Sequence, residues 1–448
     1  ICLARQDHPF AMKNLAARVS ALTLLLAAPL CAENWPHWRG PAFNGSSAET
    51  GLPATFSATE GVKWTAPMPG YSGSTPVIWE NHVFVSSPDA NKALLLLCLD
   101  RTNGKVRWSK QIAEGDQVKG RTSPNMSSPS PVTDGKTVYA LYGTGDLAAL
   151  DFNGQILWQR NLANDFGRFA NMWLYGSSPT LFQGKLYIQV LQRDPVPPDY
   201  THALDARPNR DSYLLALDPA TGKDLWRQVR PTAARKESME SYATPIPFEG
   251  GGKPQILVLG GDVLTSHDAA TGAEIWRCGG FNDKNGEWMR IVSSPLAWKD
   301  MALGAGPKRN PLIAVRSGGK GDVTASQIAW KFLDFPPDVC TPAIYKDQLY
   351  VLDGDKQMLG CLDPATGAKK WEGNLGTREN FKASPTVADG KIYAISERGT
   401  VVICDAGPEF KVLATVSLGS NQPARSAIAV AGGQLFIRTG EQLYCVGK

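Results

Sequence analysis

The sequence predicts an all-β fold, an eight-bladed β-propeller. Three observations carry that expectation: an Asp-Gly-Trp turn repeated five times, a Ser/Thr-Pro pair repeated seven times, and short β-rich runs between them. Asp100, Gly104 and Trp108 are spaced four and four, as are Asp218, Gly222 and Trp226; Asp268, Gly272 and Trp276; and Asp363, Gly367 and Trp371. Asp151, Gly154 and Trp158 repeat the pattern with one residue deleted. The Gly supplies the positive φ of a tight turn, and the Asp accepts hydrogen bonds from turn amides. Each Trp is expected to pack over the turn of a neighbouring blade, burying about 150–250 Å².

The pairs Thr75-Pro76, Ser130-Pro131, Ser178-Pro179, Thr244-Pro245, Ser294-Pro295, Thr341-Pro342 and Ser384-Pro385 each open an apolar stretch. A β-branched and aromatic run follows, such as Val138-Tyr139-Ala140-Leu141, and then an apolar run ending at the Asp. With the Trp strand this makes four strands per unit. An eighth preamble, Ser426 to Val430, lacks the proline, and no Trp strand follows Leu443-Tyr444-Cys445-Val446. The missing strand stands at Val62-Lys63-Trp64, which is expected to close the last blade and remove two free sheet edges.

Lys13 and Arg18 followed by the apolar run Val19 to Leu30 read as an export signal ending near Ala32, too short for a membrane span. Ile1 to Ala11 precede a plausible start at Met12, and Cys31 follows a residue poorly suited to a lipidation site. The expected organisation is therefore residues 1–32 as upstream residues and signal peptide, 33–61 as an N-terminal extension, and 62–448 as the propeller. Six cysteines remain after the leader, none with CxxC spacing. Cys98, Cys361 and Cys445 stand two residues before the repeat Asp or its equivalent, where other copies carry Ala, so they read as small buried free thiols. Cys404 is one residue out of phase. A net charge of +4 on 448 residues gives no argument for nucleic acid.

The Ala-Leu-Asp-x-x-Thr-Gly-x-x-x-Trp pattern resembles the tryptophan-docking repeat of the pyrroloquinoline-quinone-like (PQQ-like) propellers, the group of quinoprotein alcohol dehydrogenases and the assembly lipoprotein BamB. The opening Asn34-Trp-Pro-His-Trp-Arg-Gly-Pro-Ala-Phe-Asn-Gly45 resembles a subgroup of exported bacterial members. The resemblance covers residues 62 to 448 and is specific for the fold. It implies PQQ and calcium if the chain is an enzyme, but the vicinal cysteine pair and the CxxCH haem motif of those enzymes are missing. No family site residue transfers by motif.

Ligand sites in propellers are expected at the channel mouth, in the loop before each Ser/Thr-Pro. Those loops carry Tyr71; Arg121 with Asn125; Arg168 with Asn171, Trp173 and Tyr175; and Arg235 with Glu237, Glu240 and Tyr242. They continue with Trp288 and Arg290, then Asp338, Arg378 with Asn380 and Lys382, and Arg425. The second loop of each blade adds Asp262, Arg316, Lys320, Asp353, Asp355, Lys356, Arg398 and Arg438. A ring of guanidiniums would grip carboxylate or phosphate, and the interleaved aromatics would suit a sugar. The bland reading is solvated loop charges paired with their neighbours. Gly318-Gly319-Lys320-Gly321-Asp322 reads as a turn, and Arg193 to Asp211 as a proline-stiffened insert.

No catalytic motif stands out. The expectation is an exported, monomeric, non-enzymatic binding or scaffolding propeller. Its partner would be an envelope protein or an acidic glycan at the channel mouth. The alternative is a PQQ- and calcium-dependent oxidoreductase acting on alcohols or sugars, and a third reading is an enzyme cleaving polysaccharide.

Overall fold

The computed structural model describes residues 33–115, 125–207 and 209–447. The leader proposed for residues 1–32 and the candidate Arg121 lie outside them. Eight antiparallel sheets follow one another along the chain, six of four strands and two of five. The first blade runs from Val77–Trp79 to Val106–Glu114, and the seventh ends at Val412–Ser417. The eighth closes as expected: Val62–Pro67 pairs antiparallel with Gln442–Gly447 as its outermost strand.

Tryptophan docking is visible atom by atom. A Cβ placed on Gly104, Gly154, Gly222, Gly272 or Gly367 would lie 2.4–2.8 Å from the ring of Trp64, Trp108, Trp158, Trp226 or Trp330, each from the preceding blade. The indole N–H groups of Trp64, Trp108, Trp158, Trp330 and Trp371 donate to carbonyls of the next turn, at Arg101, Phe152, Pro219, Pro364 and Gly407. The repeat aspartates hold the turns: the Oδ1 atoms of Asp100, Asp218, Asp268 and Asp363 each accept an amide N–H two residues on. Trp330, one of these docking residues, lacks the Asp-Gly spacing of the other copies. Trp276 is buried, and beside it Gly321–Asp322 adds a parallel fifth strand to the fourth blade. The end of the glycine-rich segment read as a turn is thus an edge strand.

Register explains the cysteines. Each docking Trp stands opposite a small residue of the adjacent strand: Cys98 faces Trp108, Ala149 faces Trp158, Ala216 faces Trp226, Cys361 faces Trp371 and Cys445 faces Trp64. In the seventh blade Ala414 replaces the Trp, and the residue opposite it grows to Ile403. Large faces small in every case, as close packing at fixed volume demands. All six described cysteines are buried and unbonded to one another.

One boundary differs from the sequence reading. In the fifth blade the second and third strands are Met301–Ala305 and Leu312–Arg316, which puts Arg316 and Lys320 on the loop after the third strand, at the far end from the mouth. Two adjacent short apolar runs leave the strand boundary ambiguous in the sequence there.

The N-terminal extension is an integral part of the propeller. It crosses the end of the channel opposite the mouth, touching five blades. Trp35 pairs with Ile78, Pro36 accepts from the Thr133 N–H, Asn44 from Ile344 and Gly45 from Val387, and Glu49 accepts from Gly432 and Gly433. Ser46–Ser47 adds a parallel strand to the innermost edge of the seventh blade.

Candidate functional site at the channel mouth

The channel is lined by a ring that the repeat builds automatically. The Ser/Thr of each Ser/Thr-Pro pair accepts, through its hydroxyl oxygen, the backbone N–H of the equivalent residue in the preceding blade. Thr75, Ser130, Ser178, Thr244, Ser294 and Thr341 donate to the next hydroxyl in turn, and Ala427 donates to Thr75, at 2.8–3.2 Å. The ring opens only at Ala427, where Ala427-Ile428 replaces Ser/Thr-Pro and supplies no hydroxyl. Proline after each of these residues removes the next N–H and fixes φ, which holds the hydroxyls at one level. Their oxygens serve neighbouring amides, so their O–H groups are left to face the channel they line.

Above this ring lies a cavity of about 340 Å³. The residues two before each Ser/Thr form its upper wall: Gly73, Ser128 and Gly176 on the first three blades, then Tyr242, Val292, Val339, Lys382 and Arg425. The wall is recessed over the first three blades and bulky over the rest. Trp173, Tyr71 and Arg290 complete the mouth, and Trp38 of the extension reaches the cavity from the far end. Two buried donor atoms of lining residues have no hydrogen-bond partner among the described residues: Trp38 Nε1 and Arg290 Nη1.

The extension is fixed by Arg39, which is 1% exposed. Its guanidinium donates to the carbonyls of Pro385 (3.0 Å), Pro342 and Asn44 (3.3 Å), joining the sixth and seventh blades. Burial lowers its pKa to about 9, while burial and the Arg39 charge hold His37, stacked on Phe43 at 3.7 Å, near 3 and so neutral. Arg438, expected at the mouth, is likewise buried, donating to the Ser86 carbonyl at 2.7 Å and the Ser87 hydroxyl at 3.1 Å to clip the eighth blade to the first.

Among the described residues the expected ring of guanidiniums is not formed. Of the predicted residues described, Tyr71, Trp173, Tyr242, Arg290, Lys382 and Arg425 line the cavity. Arg168, Arg235 and Arg378 are exposed on the rim, and Trp288 stands beside the mouth, 47% exposed. Three candidates are structural. Asn125 is buried and braces its loop, donating to the Tyr71 carbonyl and accepting from Ser127. Tyr175 is buried against Phe169 and donates to the Gln189 carbonyl at 2.7 Å. Glu240 is wholly buried behind Tyr242. The cations that reach the cavity also have acidic neighbours: Arg425 meets Glu397 at 2.6 Å, Lys382 meets Asp355, and Arg290 lies 3.8 Å from Glu237 and 3.6 Å from Asp338. Arg290, with two distant partners and an unpartnered Nη1, is the cation best placed to take a ligand anion.

Glu240 ties the mouth to the insert. Its carboxylate accepts from the Met172 N–H (2.7 Å), the Tyr242 hydroxyl (3.0 Å) and the hydroxyl of Tyr200 in the insert (2.8 Å). His202 of the insert bonds the Asn171 carbonyl, and Arg210 reaches Asp205 and the Arg168 carbonyl. These contacts had no sequence signal beyond the insert's length. Burial raises the Glu240 pKa from 4.5 to about 7, against those three donors. Between those values the folded chain keeps a proton that the unfolded chain has lost, so this group makes stability fall as pH rises from about 4.5 to 7. Glu240→Gln, which keeps an acceptor and a donor for the tyrosines, is expected to remove that slope, worth on the order of 3 kcal/mol. Urea unfolding across this pH range checks it; wild-type and variant curves that stay parallel would contradict it.

Residues 46–188 and 210–448 match the family described as outer membrane protein assembly factor BamB. The chain belongs to this BamB-type, PQQ-like propeller family. The gap between the two matched segments, residues 189–209, falls almost entirely within the insert that Glu240 anchors. BamB of Moranella endobia (strain PCIT) is 30% identical over 127 residues, covering 27% of this chain and 31% of that relative's length. Among solved structures, BamB from Moraxella catarrhalis superposes with a TM-score of 0.53 at 14% identity, covering 81% of this chain and 95% of that one. The quinohemoprotein alcohol dehydrogenase of Comamonas testosteroni gives 0.62 at 12% identity, covering 93% and 81%. A europium-containing methanol dehydrogenase gives 0.61 at 12%, covering 91% and 90%. At such identities the likeness is one of fold.

The residues of this family member fit the quinone cofactor only in part. Arg290, Lys382 and Arg425 could meet carboxylates, and Trp38 offers a flat surface. Calcium needs several oxygen ligands, and none of the cavity's described lining residues is Asp, Glu, Asn or Gln. Among the described residues no group of three His, Cys, Asp or Glu could hold a metal ion. The donor set does not suit a calcium-bound quinone.

Proposed function

We propose that this propeller works by binding, not by chemistry, and that its ligand is the end of an anionic glycan taken into the channel mouth outside the cytoplasm. The supporting observation is the make-up of the cavity. It combines a ring of Ser/Thr hydroxyls, aromatic surface from Trp38, Tyr71, Trp173 and Tyr242, and the incompletely paired Arg290. Hydroxyl donors and aromatic faces suit a sugar ring, and a guanidinium suits its carboxylate. The pocket volume is at the small end of ligand sites, room for one sugar ring and not for a folded partner. Export rests on the leader motif, and no described helix is long and apolar enough to cross a membrane.

Calorimetric titration of the protein from residue 33 onward with trigalacturonate tests the reading. Binding in the micromolar to millimolar range is expected, without change in the sugar. Arg290→Gln is expected to weaken it by at least tenfold, the loss of one charge-assisted contact. No binding would defeat the proposal. Dye reduction with alcohols or sugars after addition of PQQ and calcium would replace it with the oxidoreductase reading.

A further inference from the structure

Beside the mouth, two residues before Arg290, stands the exposed Trp288. Cations surround it: the Arg193 guanidinium lies 5.6 Å from its ring centre and the Lys236 ammonium 5.8 Å, and Lys308 donates to its carbonyl. Arg235 is largely exposed next to them, its side chain 62% accessible. Among the described residues one carboxylate forms ion pairs with these four cations, Glu287, shared by Arg235 (3.5 Å) and Lys236 (2.5 Å), while Asp338 accepts the Lys308 backbone N–H (3.0 Å). The insert supplies Arg193, the loop before the fourth blade Arg235 and Lys236, and the loop before the fifth blade Trp288. With Lys308, between the second and third strands of the fifth blade, four separate segments converge on one exposed aromatic ring with a surplus of positive charge.

Two facts make this cluster an extension of the cavity. Trp288 and Arg290 share one loop, and two extended residues span about 7 Å at most, on the scale of one sugar unit. Trp38 of the extension borders the cavity from the far end, so a longer chain whose end lies in it has its exit over the rim. A structural role for Trp288 alone would not require the surrounding excess of cations, which repel one another without a counter-ion.

We infer that this rim cluster is a second subsite, binding the next acidic unit of a linear polyanionic glycan whose terminal unit occupies the cavity. The inference rests on the proposed glycan binding. Its anion is met by Arg193, Arg235 and Lys236, and its neighbouring ring faces Trp288.

Titration with mono-, di- and trigalacturonate at low and moderate salt tests it. The disaccharide should bind roughly tenfold more tightly than the monosaccharide, and its advantage should shrink with salt, as expected of exposed charges. In the double variant Arg235→Gln/Lys236→Gln, and separately in Trp288→Ala, the ratio of disaccharide to monosaccharide affinity should fall towards one. An unchanged thermal midpoint would show that the fold is intact. Equal affinity for one and two units in wild type would overturn the second subsite and leave the cavity reading standing. Retention of the full ratio in both variants would also overturn it. Absence of binding by all three sugars would remove the cavity reading and this inference together.

Discussion

Gly272→Ala is expected to cost about 2–5 kcal/mol of stability. Gly272 holds φ at +77°, a left-handed conformation that a residue with a Cβ occupies at a cost of about 1–2 kcal/mol. The added Cβ would also lie 2.4 Å from the Trp226 ring, and overpacking of this kind costs about 1–3 kcal/mol more. Gly184 provides the control: its φ is +69°, but nothing lies within 4 Å of the Cβ position. Gly184→Ala should lose only the conformational part. Urea unfolding of both variants measures the difference, which is the contribution of blade docking. Equal losses would mean that the tryptophan rests loosely on the turn and that the docking account is wrong.

Arg39→Ala is expected to lose about 2–4 kcal/mol and to release the extension from the channel. The substitution deprives the carbonyls of Pro385, Pro342 and Asn44 of their shared donor inside the protein. Buried acceptors left unpaired account for a loss of this size. Arg39→Lys should recover only part of it, because one ammonium cannot match a planar fork set among three carbonyls. Proteolysis reports the release: segment 33–61 should become cleavable while the blades stay intact. Because Trp38 lines the pocket, glycan affinity should fall in parallel with the release. An extension that resists protease in Arg39→Ala would show that the strand pairing of Ser46–Ser47 and the Trp35 bridge suffice.

The contrast between these two positions shows what the sequence made legible. Gly272 and Trp226 belong to a pattern repeated along the chain, and each copy restates the same backbone and packing requirement. Blade number, the closing strand and the small residues opposite the tryptophans follow from that repetition. Arg39 stands in a segment that occurs once. Its two tryptophans, Trp35 and Trp38, are unusual for a solvated extension and are the available signal that it packs against the blades.

The mouth was harder to read because direction and pairing decide it. Trp173 and Tyr175 are two residues apart, yet one borders the cavity and the other is core. Arg290 meets Glu237 and Asp338 from loops about 50 residues away on either side, and Lys382 meets Asp355 across a blade. No local pattern announces such partners. The hydroxyl ring was present in the sequence as seven Ser/Thr-Pro pairs, which read as strand openers. Their second role emerges only when the blades close into a circle and each hydroxyl meets its neighbour's amide.

The central claim is that ligand enters at the mouth and stops above the hydroxyl ring. Hydrogen exchange measured with and without saturating trigalacturonate tests it most directly. The account predicts slowed exchange in the loops around residues 171–178, 288–294, 380–384 and 423–427, with the outermost strands unchanged. Protection confined to the outer strand edges, or to the far face around residues 33–61, would contradict it.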